Sequence, residues 1–190
     1  MTEYYFDIKT ANKDPNDTKE LASMNPITGK IITIQYQQIE SQTGLPIGPL
    51  TILKEWEDGS SERNILQQFK PLITGYCWDF IPLGTHLYFE FIFLKHKFKE
   101  YFNYDFSADD FFSRPMHDLK IIGVILNNGA FKGSSLDRFL NKESGYNIPV
   151  WYRNKQYDKI IDYIKTETEA YLKFWQKLKK ELPRIFSDAP

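Results

Sequence analysis

The chain has 190 residues, of which 42% are hydrophobic and 26% charged, a composition typical of a soluble globular domain rather than a disordered chain. Its formal net charge of −1 excludes a strong global attraction for nucleic acid, so such binding would need a local groove. The single cysteine, Cys77, excludes an intramolecular disulfide framework, and no apolar run is long enough to span a bilayer. We therefore expect one domain over residues 1–190, in the cytoplasm and without a membrane segment.

Three segments of the N-terminal half have the aromatic and β-branched composition of strands. They are residues 2–10, 30–40 and 50–56, separated by polar connections. A hairpin-linked antiparallel meander is the simplest topology for these three segments. A helix follows, with Ser60 or Ser61 as its cap. The short apolar run at 76–84 then predicts a buried strand, which is parallel because the helix connects it to the meander.

From residue 86 onward the sequence is predominantly helical. Helices are predicted over residues 86–102, after a capping box at Ser107–Asp110, over 118–128, after a cap at Ser134–Asp137, and from about 155 to 182. Pro183 is predicted to end the last helix, and residues 147–155 form a predicted loop that exposes Trp151 and Tyr152. Together these elements predict an α/β domain whose mixed sheet, an antiparallel three-stranded meander plus a parallel strand, is flanked by helices.

Asp7 and Lys9 lie two residues apart in the first predicted strand, so their side chains point to the same face of the sheet. A salt bridge at the end of the strand is one explanation for the pair. Glu90 is the only charged residue in the apolar run 87–94. A buried carboxylate there needs a cation, a metal ion or hydrogen-bond donors. The alternative places Glu90 on a solvated stripe of the helix, together with Lys97 and Tyr101.

Glu167 lies on the apolar stripe of the last predicted helix, four residues after Tyr163. A position at the border of that stripe would be an ordinary alternative. Asp118, at the start of another predicted helix, is a further carboxylate that could serve as a metal ligand, although an acid there also interacts favourably with the helix dipole. These residues are the candidates for a site.

In this order the residues resemble the motifs of the DEDD superfamily of 3′–5′ exonucleases, in the branch related to the exonuclease domain of family-B DNA polymerases. FDIKT looks like the first motif, a strand ending in Asp-x-Glu. PLGTHLYFEFIFL looks like the second, with His86 in the Asn place and Glu90 in the Asp place. YIKTE looks like the third, Tyr-x-x-x-Asp, with Tyr163 and Glu167. The resemblance implies a ribonuclease H-like fold over nearly the whole chain.

The resemblance also implies hydrolysis by two Mg²⁺ or Mn²⁺ ions held by four carboxylates. It assigns Asp7, Glu90 and Glu167 as metal ligands and Tyr163 as the residue that orients the attacking water. His86 and Lys9 would then contact the nucleic acid. Trp151 or Tyr152 would be available to stack on a base.

Lys9 departs from the family pattern, because it stands where the first motif has a second carboxylate. An ammonium group can pair with Asp7 and Glu167, but it cannot activate water as a metal ion does. We therefore expect an exonuclease-like protein that acts on or binds single-stranded DNA or RNA 3′ ends, with two-metal hydrolysis weakened or lost. The alternative is a non-catalytic module on the same fold that binds nucleic acid or a protein partner.

Overall fold

The computed structural model describes residues 1–17, 19, 21–107, 110–111, 113–134 and 145–187, with the backbone alone over 183–187. The strands in this part of the chain are β1 (Glu3–Asn12), β2 (Gly29–Ile39), β3 (Thr51–Lys54), β4 (Ile81–Gly84) and β5 (His117–Asp118). The helices are α1 (Glu62–Ile73), α2 (Leu87–Phe102), α3 (Leu119–Leu126), α4 (Ile148–Arg153) and α5 (Tyr157–Ser187). Among these described helices, none combines the length and the apolar character needed to cross a membrane.

The strands form one five-stranded mixed sheet in the order β3-β2-β1-β4-β5. β2 runs antiparallel to both β1 and β3, whereas β4 runs parallel to β1 and to β5. The predicted α/β class, the antiparallel meander and the additional parallel strand are thus confirmed. β5 was not predicted, because its two residues are too few to display a strand periodicity.

The two faces of the sheet are covered by different helices. Phe6 and Ile8 of β1 point into an aromatic core that includes Phe69 of α1 and Phe98 of α2. On the opposite face, Tyr5 packs near Tyr171 of α5, with 6.3 Å between ring centroids. Because side chains alternate along a strand, Asp7 and Lys9 share the second face with Tyr5, under α5.

Close backbone packing fixes the junction between β4 and α2. A Cβ atom at Gly84 would lie 2.6 Å from the carbonyl oxygen of Phe6, so only glycine allows β4 to approach β1 this closely. His86 follows two residues later with a φ of 60°, in the left-handed region, at the position just before α2. The turn that begins α2 therefore directs the first residues of this helix back toward β1.

Two predicted capping arrangements are confirmed by their hydrogen bonds. Ser61 accepts a bond from the Asn64 amide at 3.2 Å and caps α1. Ser107 and Asp110 form the reciprocal bonds of a capping box, with the Ser107 amide 2.6 Å from the Asp110 carboxylate and the Asp110 amide 3.1 Å from the Ser107 hydroxyl. The cap predicted at Ser134–Asp137 lies partly outside the described residues.

Two predictions near the C-terminus are wrong. Residues 147–155 contain the helix α4, in which Pro149 occupies the first turn, where its missing amide costs no hydrogen bond. Trp151 and Tyr152 are half-buried rather than exposed, because they pack against aromatic rings of Tyr163 and Trp56 respectively. The backbone of α5 also continues through Pro183 to Ser187, since a proline inside a helix removes one hydrogen bond without always ending it.

Candidate functional site

Five ionisable side chains from three elements form the candidate site, which we call the Lys9 cluster. Its members are Asp7, Lys9, Glu90, Tyr163 and Glu167. The ammonium of Lys9 lies 2.5 Å from Asp7 Oδ2 and also contacts Glu167 Oε2. The side chain of Lys9 is 9% exposed, and that of Glu167 is 5% exposed. One buried ammonium therefore joins two carboxylates from residues that are 158 positions apart.

β2 supports the Lys9 cluster through two uncharged polar side chains that are fully buried, Thr33 and Gln35. Gln35 Nε2 donates to Asp7 Oδ2 at 2.8 Å, and the Thr33 hydroxyl donates to Gln35 Oε1 at 2.8 Å. These residues lie opposite Asp7 and Lys9 in the β1–β2 register, where cross-strand partners share a face. The sequence analysis missed both, although polar residues alternating within an otherwise apolar strand were a usable signal.

A register shift follows immediately after the Lys9 cluster. Lys9 pairs with Thr33, whereas Thr10 pairs with Ile31, so Ile32 is an additional residue on β2. A bulge of this kind bends the strand and redirects the side chains beyond it. As a result Ala11 and Ile32 both face the apolar cluster beneath α4 and α5.

α5 contributes Tyr163 and Glu167, which lie one helical turn apart. The Tyr163 hydroxyl donates to Glu167 Oε1 at 2.9 Å, and its ring centroid lies 5.0 Å from the ammonium of Lys9. Glu167 is buried, so the interpretation that placed it at the border of the apolar stripe is wrong. Tyr163 therefore holds one oxygen of Glu167 while Lys9 contacts the other.

Glu90 enters the Lys9 cluster from the first turn of α2 and is 4% exposed. Its Oε2 has no hydrogen-bond partner among the described residues. Burial, together with the nearby negative charge of Asp7, raises the pKa of Glu90 well above its usual value. The solvated-stripe interpretation is wrong, because Lys97 is fully buried as well and donates to the Gly29 carbonyl at 2.7 Å.

Burial and charge act in opposite directions on Asp7 and Lys9. The pKa of Asp7 is raised from 3.8 to about 6, chiefly by burial. The charge of Glu167 also raises this pKa, whereas that of Lys9 lowers it. Burial lowers the pKa of Lys9, but the attraction of Asp7 and Glu167 outweighs this and leaves the pKa well above its usual value. The Lys9 cluster therefore combines an ammonium whose charged form is favoured by two acidic neighbours with two acids, Asp7 and Glu90, whose pKa values are raised.

This donor set does not fit a pair of divalent cations. Within the described ranges, no three or more His, Cys, Asp or Glu side chains are grouped so that they could hold a metal ion. A metal ligand must be deprotonated, whereas the raised pKa of Glu90 disfavours its deprotonated form. The ammonium of Lys9 already contacts Asp7 and Glu167. The metal-binding roles of Asp7, Glu90 and Glu167 stay predictions from the resemblance.

His86 and Asp118 meet at the N-terminus of α2. The Asp118 carboxylate accepts hydrogen bonds from the backbone amides of His86 and Leu87, both at 3.1 Å, and from that of Lys120 at 2.8 Å. Asp118 thus caps the first turns of two helices, as the dipole interpretation requires, and no metal role is needed to explain it. The His86 side chain is exposed, and burial of part of its ring lowers its pKa.

Comparison with known proteins adds no assignment to this geometry. No model of a known protein family matches the chain, and no curated protein matches it. The function must therefore be argued from the residues of the Lys9 cluster and from the surfaces around it.

Proposed function

We propose that this protein is a ribonuclease H-like domain that binds the 3′ end of single-stranded DNA or RNA and has lost two-metal hydrolysis. The observation that carries the proposal is the contact of the Lys9 ammonium with both Asp7 and Glu167. A ribonuclease H-like assignment is supported by the strand order β3-β2-β1-β4-β5 and the antiparallel β2. It is also supported by the convergence of β1, α2 and α5 on one site.

The charge of the Lys9 cluster explains why hydrolysis is lost on this proposal. Two-metal hydrolysis uses a concentration of negative charge that binds two divalent ions about 4 Å apart. Here burial raises the pKa of Glu90, which disfavours its charged form, and a buried ammonium contacts the other two acids. A strand end held nearby would meet no activated water, so binding would not lead to cleavage.

The first test is degradation of 5′-labelled single-stranded DNA and RNA in the presence of Mg²⁺ or Mn²⁺. We expect no products from the native protein, while fluorescence anisotropy detects binding of the same strands. Laddering from the 3′ end by the native protein, abolished in Asp7→Asn, would overturn the proposed loss of hydrolysis. Restored cleavage in Lys9→Glu, checked for folding by circular dichroism, would show that one residue switched the site off.

A second candidate function, a protein-interaction domain on the same fold, is favoured by one surface feature. α3 is strongly apolar, yet Ile121 and Ile125 are 63% and 69% exposed, and the neighbouring Phe131 is 68% exposed. Contiguous exposed apolar surface of this kind is typical of a contact between proteins. Absence of strand binding by the native protein, combined with self-association that Ile125→Asp abolishes in light scattering, would favour this function over the first.

A further inference from the structure

A pocket of about 260 Å³ lies at the open end of β1 and β2, beside α4 and the start of α5. Among the described residues that line it, none is acidic and four are cationic: Lys13, Lys30, Arg153 and Lys155. Its volume is slightly below the roughly 300–1,000 Å³ of pockets for drug-sized ligands. We refer to this feature as the cationic pocket, and its charge predicts a small anionic ligand.

Two of the four cations have no counter-ion within the described part of the chain. Lys13 pairs with Glu100 at 2.9 Å and Lys30 pairs with Glu55 at 3.0 Å. In contrast, the only described acceptor for Arg153 is the neutral carbonyl of Asp17, at 3.2 Å, and neither Arg153 nor Lys155 contacts a described carboxylate. A guanidinium with unused donors next to an ammonium is the combination that binds a phosphate group.

Asn12 provides a second, independent indication of a ligand. It lines the cationic pocket, is 9% exposed, and its Oδ1 has no hydrogen-bond donor among the described residues. Its Nδ2 is already used, since it donates to the Asp17 carbonyl at 2.5 Å. A buried acceptor without a donor costs free energy, and a hydroxyl or amino group of a ligand would remove that cost.

An aromatic wall completes the pocket. Tyr157 stacks on Trp56 with 4.7 Å between ring centroids, and Tyr152 lies next to both. The Tyr152 hydroxyl accepts from Lys30 at 2.7 Å and also contacts Glu55, so this ring is held in place. Rigid tyrosine rings beside cations are suited to the flat, apolar surface of a sugar or a base.

We infer that the cationic pocket binds a sugar phosphate, with the phosphate on Arg153 and Lys155 and a ligand donor on Asn12 Oδ1. Two sources share this chemistry, a free nucleoside monophosphate and the end of a nucleic-acid strand. As a site for a strand end, the pocket rests on the function proposed above. Ala11 at the pocket and Lys9 are two residues apart on β1, which is roughly 7 Å along a strand.

The experiment is isothermal titration of the native protein with thymidine 5′-monophosphate, with a five-nucleotide oligothymidylate and with inorganic phosphate. The same titrations use the double variant Arg153→Ala/Lys155→Ala and the nearly isosteric Asn12→Asp, which places a negative charge in the pocket. Lys165→Ala/Lys177→Ala is the matched control, because it removes the same charge from exposed residues of α5 that do not line the pocket.

We expect nucleotide affinity to fall at least tenfold in both pocket variants and to stay unchanged in the control. A parallel loss of oligothymidylate binding would identify a strand end as the ligand, and its retention would identify a free nucleotide. Equal affinities for inorganic phosphate and for the nucleotide would indicate an adventitious anion only and would overturn the inference. The inference would also be overturned if the nucleotide does not bind and if oligothymidylate binds equally well to the native protein and to both pocket variants. That result would not contradict the proposed function. Binding of the nucleotide without binding of oligothymidylate would instead contradict the proposed function and support the pocket as a nucleotide site.

Discussion

Lys9 occupies a position where a small change of side chain alters the charge of the whole site. Its ammonium is buried and contacts both Asp7 and Glu167. Buried ion pairs contribute little net stability when compared with apolar residues, but removal of one partner leaves an uncompensated charge. Loss of Lys9 thus leaves two buried acids without a cation, whereas loss of either acid leaves Lys9 paired with the other.

Replacement of this lysine by methionine tests that dependence. In Lys9→Met, two buried carboxylates face each other without a cation, so we expect the free energy of unfolding at pH 7 to fall by about 3–5 kcal/mol. Urea denaturation followed by circular dichroism measures it. Lys155→Met removes an exposed lysine of the same length and should change stability by less than about 0.5 kcal/mol. Equal effects of the two substitutions would contradict the buried ion-pair interpretation.

Glu90 gives the protein an unusual dependence on pH. Its pKa is raised by folding, so between its unfolded and folded values the native state holds a proton that the unfolded state has lost. The stabilisation is fully present below about pH 4.5 and is lost as the pH rises. Asp7, whose pKa is raised from 3.8 to about 6, acts in the same direction.

Glu90→Gln removes one of these two contributions while keeping the shape of the side chain. We expect the decline of stability between pH 5 and pH 8 to become shallower, because one of the two groups that lose a proton on unfolding is no longer present. Denaturant midpoints at several pH values measure the slope. Glu169→Gln, at an exposed position of α5, should leave the slope as it is in the native protein; a native slope in Glu90→Gln would show that Glu90 is ionised throughout.

Among the secondary-structure elements, α2 and α3 share one cap. The Asp118 carboxylate accepts three backbone amide bonds at the start of these helices, which leaves few unsatisfied donors there. His86 adopts its left-handed backbone conformation at the same junction. The orientation of Glu90, one turn into α2, therefore depends on a residue of the neighbouring strand.

Loss of this shared cap should affect stability more than an ordinary cap does. We expect Asp118→Ala to lower the free energy of unfolding by about 2 kcal/mol, at the upper end of the range for a single N-cap. Ser61→Ala, which removes one cap bond from α1, should cost about half as much and serves as the comparison in thermal unfolding. A smaller loss in Asp118→Ala than in Ser61→Ala would contradict the two-helix role.

At the scale of the whole molecule, the net charge of −1 confines any attraction for nucleic acid to a local surface. The uncompensated cations of the cationic pocket, Arg153 and Lys155, are such a surface. Binding of a single strand there should release few counterions. The dependence of strand binding on salt is therefore a measure of how much of the surface takes part.

We expect the logarithm of the association constant for oligothymidylate to fall with the logarithm of salt concentration, with a slope between about −1.4 and −2.8. These values correspond to two to four phosphate contacts on a single strand. Fluorescence anisotropy at increasing NaCl concentration measures the slope. A slope near zero would contradict phosphate recognition, and a much steeper one would require a binding surface larger than the pocket.

The local features of this protein could be predicted from short stretches of its amino-acid sequence. Aromatic and β-branched composition predicted β1 and β2, cap residues such as Ser61 predicted helix starts, and the spacing of Asp7 and Lys9 placed them on one face. Each of these features depends on residues close together in the chain, so the local sequence pattern is sufficient to predict it. The same holds for the proximity of Tyr163 and Glu167, one turn apart on α5.

The remaining features depend on contacts between residues that are distant in the chain. The contact of Lys9 with Glu167, the burial of Glu90 and the support from Gln35 join residues far apart in the chain, and no local period specifies such contacts. The helix α4, which the sequence analysis took for a loop, is six residues long, and so short a helix depends on the packing of residues such as Trp151 rather than on its own propensity. The cationic pocket likewise exists only because α4 packs on the far end of β1.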